Sequence, residues 1–295
     1  MIQHLVLEYS SAPFANAFNL GDEIQTLAAS LLLPKVDGYI DRESLHEQVA
    51  PALVSMNGYF MHTRNWPPAP AVRPLFFAFH IAPHAVDAVC SPAGLEYLKR
   101  WQPIGCRDQG TVEILRSRGV EAYFSRCVTL TLPRREQLSE AGDVFMVGFD
   151  KDSPLRYLVP RSIRRNAVHV DQAEVRLPIT NTLLKMQMAR EVLDAYARRA
   201  RLVITTKIHC AMPCLAMGIP VVFVCDDRQR DDYRIHTLKD LVTVNYGLAN
   251  GYLLKRRNER RSKQINWEPE APDISAVGQD VAQAFRAHYQ RLVSD

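Results

Sequence analysis

Three features of the sequence predict an α/β protein built on parallel sheets and divided into two units. Short apolar runs of strand character alternate with segments of helical periodicity. The alternation breaks into charged and polar residues around 133–142 and then restarts. A length of 295 residues suits two domains of about 130–150 residues each. The expected units are therefore 1–140 and 141–295.

The elements follow in order. Residues 5–9 read as a short buried strand. A polar loop leads to Asn19-Leu20-Gly21-Asp22, after which Ile24, Leu27, Ala28, Leu31 and Leu32 recur at helical spacing. Residues 54–58 and 75–79 read as two further buried strands, separated by a loop marked by Pro67, Pro68, Pro70 and Pro74. Residues 103–108 read as a strand that delivers Arg107 and Asp108 to its end. A short helix over 112–118 follows, with Asp108 placed to cap its start and Gly119 its finish. An alternating, β-branched pattern covers 123–132.

In the second unit, 144–149 restarts the pattern as a strand. The longest helical signal runs over 181–199, and 202–206 is a buried strand. Residues 211–217 form a short helix ended by Gly218 and Pro220, 221–225 another strand, and 274–292 a last helix, which can pack back on the first unit. Pro213 argues against a helix continuous from Thr206, which puts Lys207-Ile208-His209 in an irregular turn.

Composition narrows the class. Hydrophobic residues at 47% and charged residues at 23% are those of a globular chain, which excludes disorder as the starting expectation. The formal net charge is +4, with basic residues spread along the chain, so nucleic acid is not an expected partner. Two basic runs, 161–165 and 255–263, suit solvated faces or attraction to an anionic substrate or membrane surface. No stretch approaches the roughly 18–20 apolar residues of a membrane span. The start lacks the basic segment of a secretory signal. The six cysteines then read as reduced thiols of a cytoplasmic protein. C-x-x-C pairs are absent, so no metal site is expected.

In parallel α/β sheets ligands bind beyond the carboxyl ends of the strands. Three groups of reactive residues fall at such ends. Lys207-Ile208-His209 joins a cation and an imidazole at the entry to a helix, whose amides can face an anion; the alternative is a structural histidine bonded to a backbone carbonyl. Arg107-Asp108 offers a guanidinium fork suited to carboxylate or phosphate, or else a local ion pair and a cap. Asn19, Gly21 and Asp22 offer a close backbone approach and a carboxylate for sugar hydroxyls, or else a cap and a turn glycine. A fourth strand end, Asp226-Asp227-Arg228, suits a surface loop better than a ligand site. Neither a dinucleotide fingerprint nor a phosphate-binding loop of the G-x-x-x-x-G-K type is present.

Taken in order, three of these segments resemble the polysaccharide pyruvyltransferase family. Its Asn-x-Gly-Asp corresponds to residues 19–22, its Arg-Asp strand end to Gly105 through Asp108 and on to Thr129, and its Arg-Leu-His segment with a following Gly-x-Pro to Lys207 through Pro220. The resemblance spans about residues 16–245. It implies two Rossmann-like domains facing a cleft, as in GT-B glycosyltransferases. It implies phosphoenolpyruvate as co-substrate, no cofactor, and a sugar or lipid-linked oligosaccharide as acceptor; peripheral contact with the inner membrane face is an expectation that rests on the basic runs. It makes His209 catalytic, assigns donor binding to Arg107, Lys207 and Ile208, and leaves Asn19, Gly21, Asp22 and Asp108 for the acceptor or the base. His209 is then expected to act as an imidazolium. The sequence departs from the family in placing Lys207 where arginine is usual. Two other readings remain open: a GT-B glycosyltransferase with a nucleotide-sugar donor, and a non-catalytic sugar- or phosphate-binding protein.

Overall fold

The computed structural model describes residues 2–10, 17–136, 142–173, 175–177, 180–250 and 253–294. β1 (Gln3–Glu8) is buried along all but its first residue. Asn19, in extended backbone, accepts the Gly21 N–H at 3.0 Å and so begins α1 (Leu20–Leu32). β2 (Gly38–Asp41), β3 (Ala52–Ser55), β4 (Gly58–Phe60), β5 (Val72–Leu75) and β6 (Phe79–Ile81) follow, then α2 (Val86–Val89), α3 (Pro92–Arg100), β7 (Ile104–Cys106), α4 (Gln109–Arg116) and β8 (Ala122–Phe124).

These strands pair in parallel in the orders β2-β1-β3-β5 and β4-β6-β7-β8. β4 and β6 carry on the ladder of β3 and β5 beyond a bend. The apolar runs at 54–58 and 75–79, expected as single strands, are therefore each interrupted. Gly58 turns at φ 91°, and Ala78 at φ 56° gives its N–H to Ser125 Oγ at 3.0 Å. The alternating run expected over 123–132 is strand only to Phe124. Arg126 at φ 64° ends it, and the chain winds into a 3₁₀ turn over Val128–Thr131.

The expected boundary at 133–142 falls largely outside the described residues, which omit 137–141. Beyond it come β9 (Asp143–Val147), α5 (Arg161–Asn166), β10 (Val168–Val170), α6 (Thr182–Arg199), β11 (Ala200–Thr205), α7 (Ile208–Ala216), β12 (Val221–Asp226), α8 (Tyr233–His236), β13 (Val244–Gly247), α9 (Leu254–Ser262) and α10 (Ser275–Ser294). The sheet is parallel throughout in the order β10-β9-β11-β12-β13. Both halves thus begin with a strand flanked by the second and third of their strands, which opens a crevice at the carboxyl ends.

An apolar core cluster joins the two halves of the chain. α1 packs on α6 and α7, and Ile24, Ala28, Met186, Tyr196, Cys210 and Leu215 share a single cluster. α10 lies against the first half: Phe285 meets Phe77 edge-on at 5.2 Å, and Arg73 donates to the Leu292 carbonyl at 2.7 Å. Burying a phenylalanine of this kind contributes about 1.5–3 kcal/mol. All six cysteines are unpaired. No helix among the described residues is long and apolar enough to cross a membrane.

Candidate active site

A cavity of 610 Å³ is lined by residues that follow strands of both halves of the chain. Tyr9, Asn19, Asp22, Tyr59, His62 and Arg107 line it from the first half. Gln172, Lys207, Ile208, His209, Gln229 and Arg234 line it from the second. The three strand-end groups singled out in the sequence are thus brought to one place, with Asp108 as the exception.

Arg107 is 5% exposed, and among the described residues no carboxylate pairs with it. A buried guanidinium with no carboxylate in ion-pair contact is costly, and here its open side faces the cavity. Its Nη1 donates to Gln25 Oε1 at 3.1 Å and stands 3.2 Å from His209 Nε2. Gln25 Nε2 lies 3.2 Å from the other ring nitrogen, Nδ1, and is itself fixed by donating to the Gly21 carbonyl at 3.1 Å. Both imidazole nitrogens therefore face N–H groups, and a neutral ring, which carries one proton, accepts from one of them. Burial first, and then the positive charge of Arg107, hold the His209 pKa well below the usual histidine range. The imidazolium expected from the sequence is accordingly not the resting form. The ring is neutral until something offsets the cation beside it.

Gly21 makes this approach possible. A Cβ there would lie 2.9 Å from the His209 Cβ, so any side chain would push the histidine away from Gln25. Asn19 caps α1 from the cavity wall. Asp22 lines the cavity as well, accepts from Gln25 Nε2 at 3.2 Å and stands 4.0 Å from the Arg42 guanidinium. The start of α1 is thus closed by its own side chain.

The start of α7 is open. Lys207 is its N-cap residue, and no side chain caps its amides. α7 begins at Ile208 despite Pro213, where an irregular turn was expected. The proline lacks the N–H that would bond the His209 carbonyl, and Gln172 Nε2 supplies that donor at 2.9 Å. Gln172 is in turn oriented by the Tyr196 hydroxyl, which donates to its Oε1 at 3.0 Å. Lys207 runs its stem across Gly148, whose φ is 74° and where a Cβ would come within 2.5 Å of Lys207 Cγ and Cε.

Asp108 does not reach the cavity. It is fully buried, accepts the Thr111 N–H at 2.8 Å as the cap of α4, and takes a 2.7 Å hydrogen bond from His80 Nδ1. This placement withholds it from any substrate hydroxyl, and its visible work is to hold His80. Burial and the neighbouring Arg107 push the His80 pKa down to about 4 against the pull of Asp108. His80 Nε2 is buried without a partner.

Sequence reasoning missed Gln25, Gln172, His80 and Arg234. Arg234 lines the cavity and is held by Asp232 at 2.6 Å. These are single polar residues with no local pattern. Gln25 alone carried a signal, as a polar position beside the apolar stripe of α1. Among the described residues, no group of three side chains is arranged to hold a metal. Asp226 and Asp227 at the fourth strand end pair with Arg228 and Arg261.

No curated protein matches the chain. Among solved structures it is similar to a functionally uncharacterised protein from Klebsiella pneumoniae subsp. pneumoniae NTUH-K2044, at 13% identity and a TM-score of 0.48, over 79% of this chain and 87% of that one. Residues 69–225, more than half of the sequence, match the profile described as polysaccharide pyruvyl transferase. That stretch holds both the Arg107 strand end and the Lys207–His209 helix start, and the chain therefore belongs to the polysaccharide pyruvyl transferase family.

Proposed function

We propose that the protein transfers pyruvate from phosphoenolpyruvate to a sugar, closing a pyruvyl ketal across two hydroxyls. The observation that carries this reading is Arg107: a buried cation with no carboxylate partner among the described residues, facing a cavity that also receives Lys207, Arg234 and the uncapped start of α7. A ligand bearing both a phosphate and a carboxylate suits such a set of cations and amides.

The chemistry starts with the donor anion settling against Arg107. Its negative charge favours the imidazolium against burial and Arg107 together, and by drawing the guanidinium off His209 Nε2 it lets that nitrogen take up a proton. His209 gives that proton to C3 of the enol, making C2 electrophilic. One sugar hydroxyl adds to C2 and loses its proton. A second hydroxyl then displaces the phosphate, which leaves with the remaining proton as inorganic phosphate. Asp22, partly exposed on the cavity wall, is the carboxylate placed to accept from a hydroxyl. Tyr59, half-buried on the same wall, supplies flat apolar surface for a sugar ring beside it. We place the reaction in the cytoplasm, on two Rossmann-like domains that close on this cleft, with the sugar free or lipid-linked.

The test is incubation with phosphoenolpyruvate and a panel of simple and lipid-linked glycosides. Phosphate release with a matching gain of one ketal-linked pyruvyl group in the product is expected. Release of a nucleotide from a sugar nucleotide, or binding of phosphoenolpyruvate with no turnover across the panel, would overturn the assignment.

A further inference from the structure

The two basic runs in the sequence lie about ninety residues apart, yet the fold joins them. Asn258 of α9 is buried and donates to the Pro154 carbonyl at 2.9 Å, which fixes α9 against the 3₁₀ turn over Pro154–Leu158. That turn leads directly into α5. Tyr157 lies between the two helices, with the Arg164 guanidinium 5.1 Å and the Lys255 ammonium 5.5 Å from its ring centre. Arg161 and Arg165 on α5, and Lys255, Arg256, Arg257 and Arg260 on α9, are exposed. None of these six forms an ion pair with a carboxylate among the described residues, and the only acidic residue on either helix is Glu259.

We propose that this joined face docks the protein on an anionic lipid surface. Three observations favour a membrane over a nucleic acid. Leu253, 49% exposed and at φ 56°, projects an apolar side chain at the start of the basic helix, a pairing suited to the headgroup boundary. The Tyr157 ring, the aromatic group among these cations, is covered by two of them and is not free to stack on a base. The face also adjoins the cavity. Arg261 of α9 holds Asp227 at 3.1 Å, and Gln229, at the other end of the 3₁₀ turn over Asp227–Gln229, lines the cavity wall. A protein resting on this face would bring its cavity mouth close to the lipid surface. The inference does not depend on which reaction the cavity performs.

The test is co-sedimentation of the full chain with vesicles of phosphatidylglycerol and phosphatidylcholine, or of phosphatidylcholine alone, at several salt concentrations. Binding to the anionic vesicles only, weakening as salt rises, is expected. Arg256→Glu/Arg257→Glu/Arg260→Glu should lower the partition by more than about a hundredfold, since each cation near such a surface contributes about fivefold. Arg190→Glu/Arg198→Glu/Arg286→Glu, with the same net charge but the changes on α6 and α10, should bind nearly as the native protein does. The Gln versions of the first set keep the test open if the Glu set melts early. Equal binding to both kinds of vesicle, or native binding by a folded α9 variant, would overturn the proposal. So would displacement from vesicles by an oligonucleotide at equal phosphate concentration.

Discussion

Arg107 and Asp108 are consecutive residues at the end of β7, and each meets a different histidine. Arg107 turns into the cavity toward His209, whereas Asp108 turns into the core toward His80. A cation beside an imidazole and a carboxylate beside an imidazole should push its pKa in opposite directions, yet both rings have lowered values. In each the leading cause is burial, which outweighs the carboxylate at His80 and adds to the effect of the cation at His209. The difference lies in what can change. His80 is sealed with its carboxylate and stays neutral. His209 faces a cavity, where an arriving anion can offset Arg107 and restore a proton.

The comparison breaks most sharply at His209. His209→Ala is expected to lower turnover by about 10²–10⁴-fold with little change in melting temperature. His209→Gln should not restore it, because an amide hydrogen-bonds but does not deliver a proton. Turnover and thermal unfolding of both variants decide this, and an active glutamine variant would leave His209 a structural residue. The same contrast predicts that phosphoenolpyruvate binding takes up protons near neutral pH. Calorimetry in buffers of different ionisation enthalpy reads this directly.

The sequence already placed Asn19, Gly21, Arg107, Lys207 and His209 at strand ends, because strand–helix alternation is a local pattern and carboxyl ends are where such folds bind ligands. It did not distinguish the direction of Arg107 from that of Asp108. Adjacent side chains of a strand point to opposite faces, and only the packed sheet determines which face is the cavity. Gln172 was hidden for a related reason. Its use depends on a carbonyl that Pro213 leaves open 37 residues away, a pairing absent until the chain is folded. The bends at Gly58 and Ala78 were equally invisible, since an uninterrupted apolar run does not report where its ladder kinks.

His80 tests the sealed half of the comparison through acid stability. Its folded pKa of about 4 lies below the ordinary 6.5, so between these values the unfolded chain holds more protons than the native one. Stability from this residue is therefore present above pH 6.5 and is lost as pH falls toward 4, by up to about 3 kcal/mol. His80→Gln should flatten that decline, as read by urea unfolding at pH 7 and near pH 4.5, and should leave donor affinity nearly unchanged. An identical pH dependence in the variant would mean that His80 does not carry the acid loss.

Arg107→Ala removes the cation that separates the two histidines. It is expected to weaken phosphoenolpyruvate binding by about 1.5–3 kcal/mol, the range for a lost charge-assisted hydrogen bond. It should also raise the pKa of His209, because the nearest positive charge is gone. An NMR titration of the ring and a calorimetric affinity test both consequences. An unchanged ring pKa with weakened binding would separate the two roles.

The smallest expected effect is at the second cation. Lys207 differs from Arg107 in having no described carboxylate or amide partner for its ammonium, and its stem runs across the bare backbone of Gly148. An ammonium so held is a point charge that adjusts its position, whereas Arg107 is a fixed fork. Lys207→Arg keeps the charge and adds a second donor, but the longer, planar group must still pass over Gly148. The two effects oppose each other, and the net change in donor affinity should stay within about 1 kcal/mol, with the melting temperature preserved. Calorimetric affinity and turnover on the variant measure this. A large loss of turnover in a folded protein would mean that the cavity needs a compact, mobile cation at this strand end, and that Arg107 and Lys207 divide the donor between a rigid grip and an adjustable one.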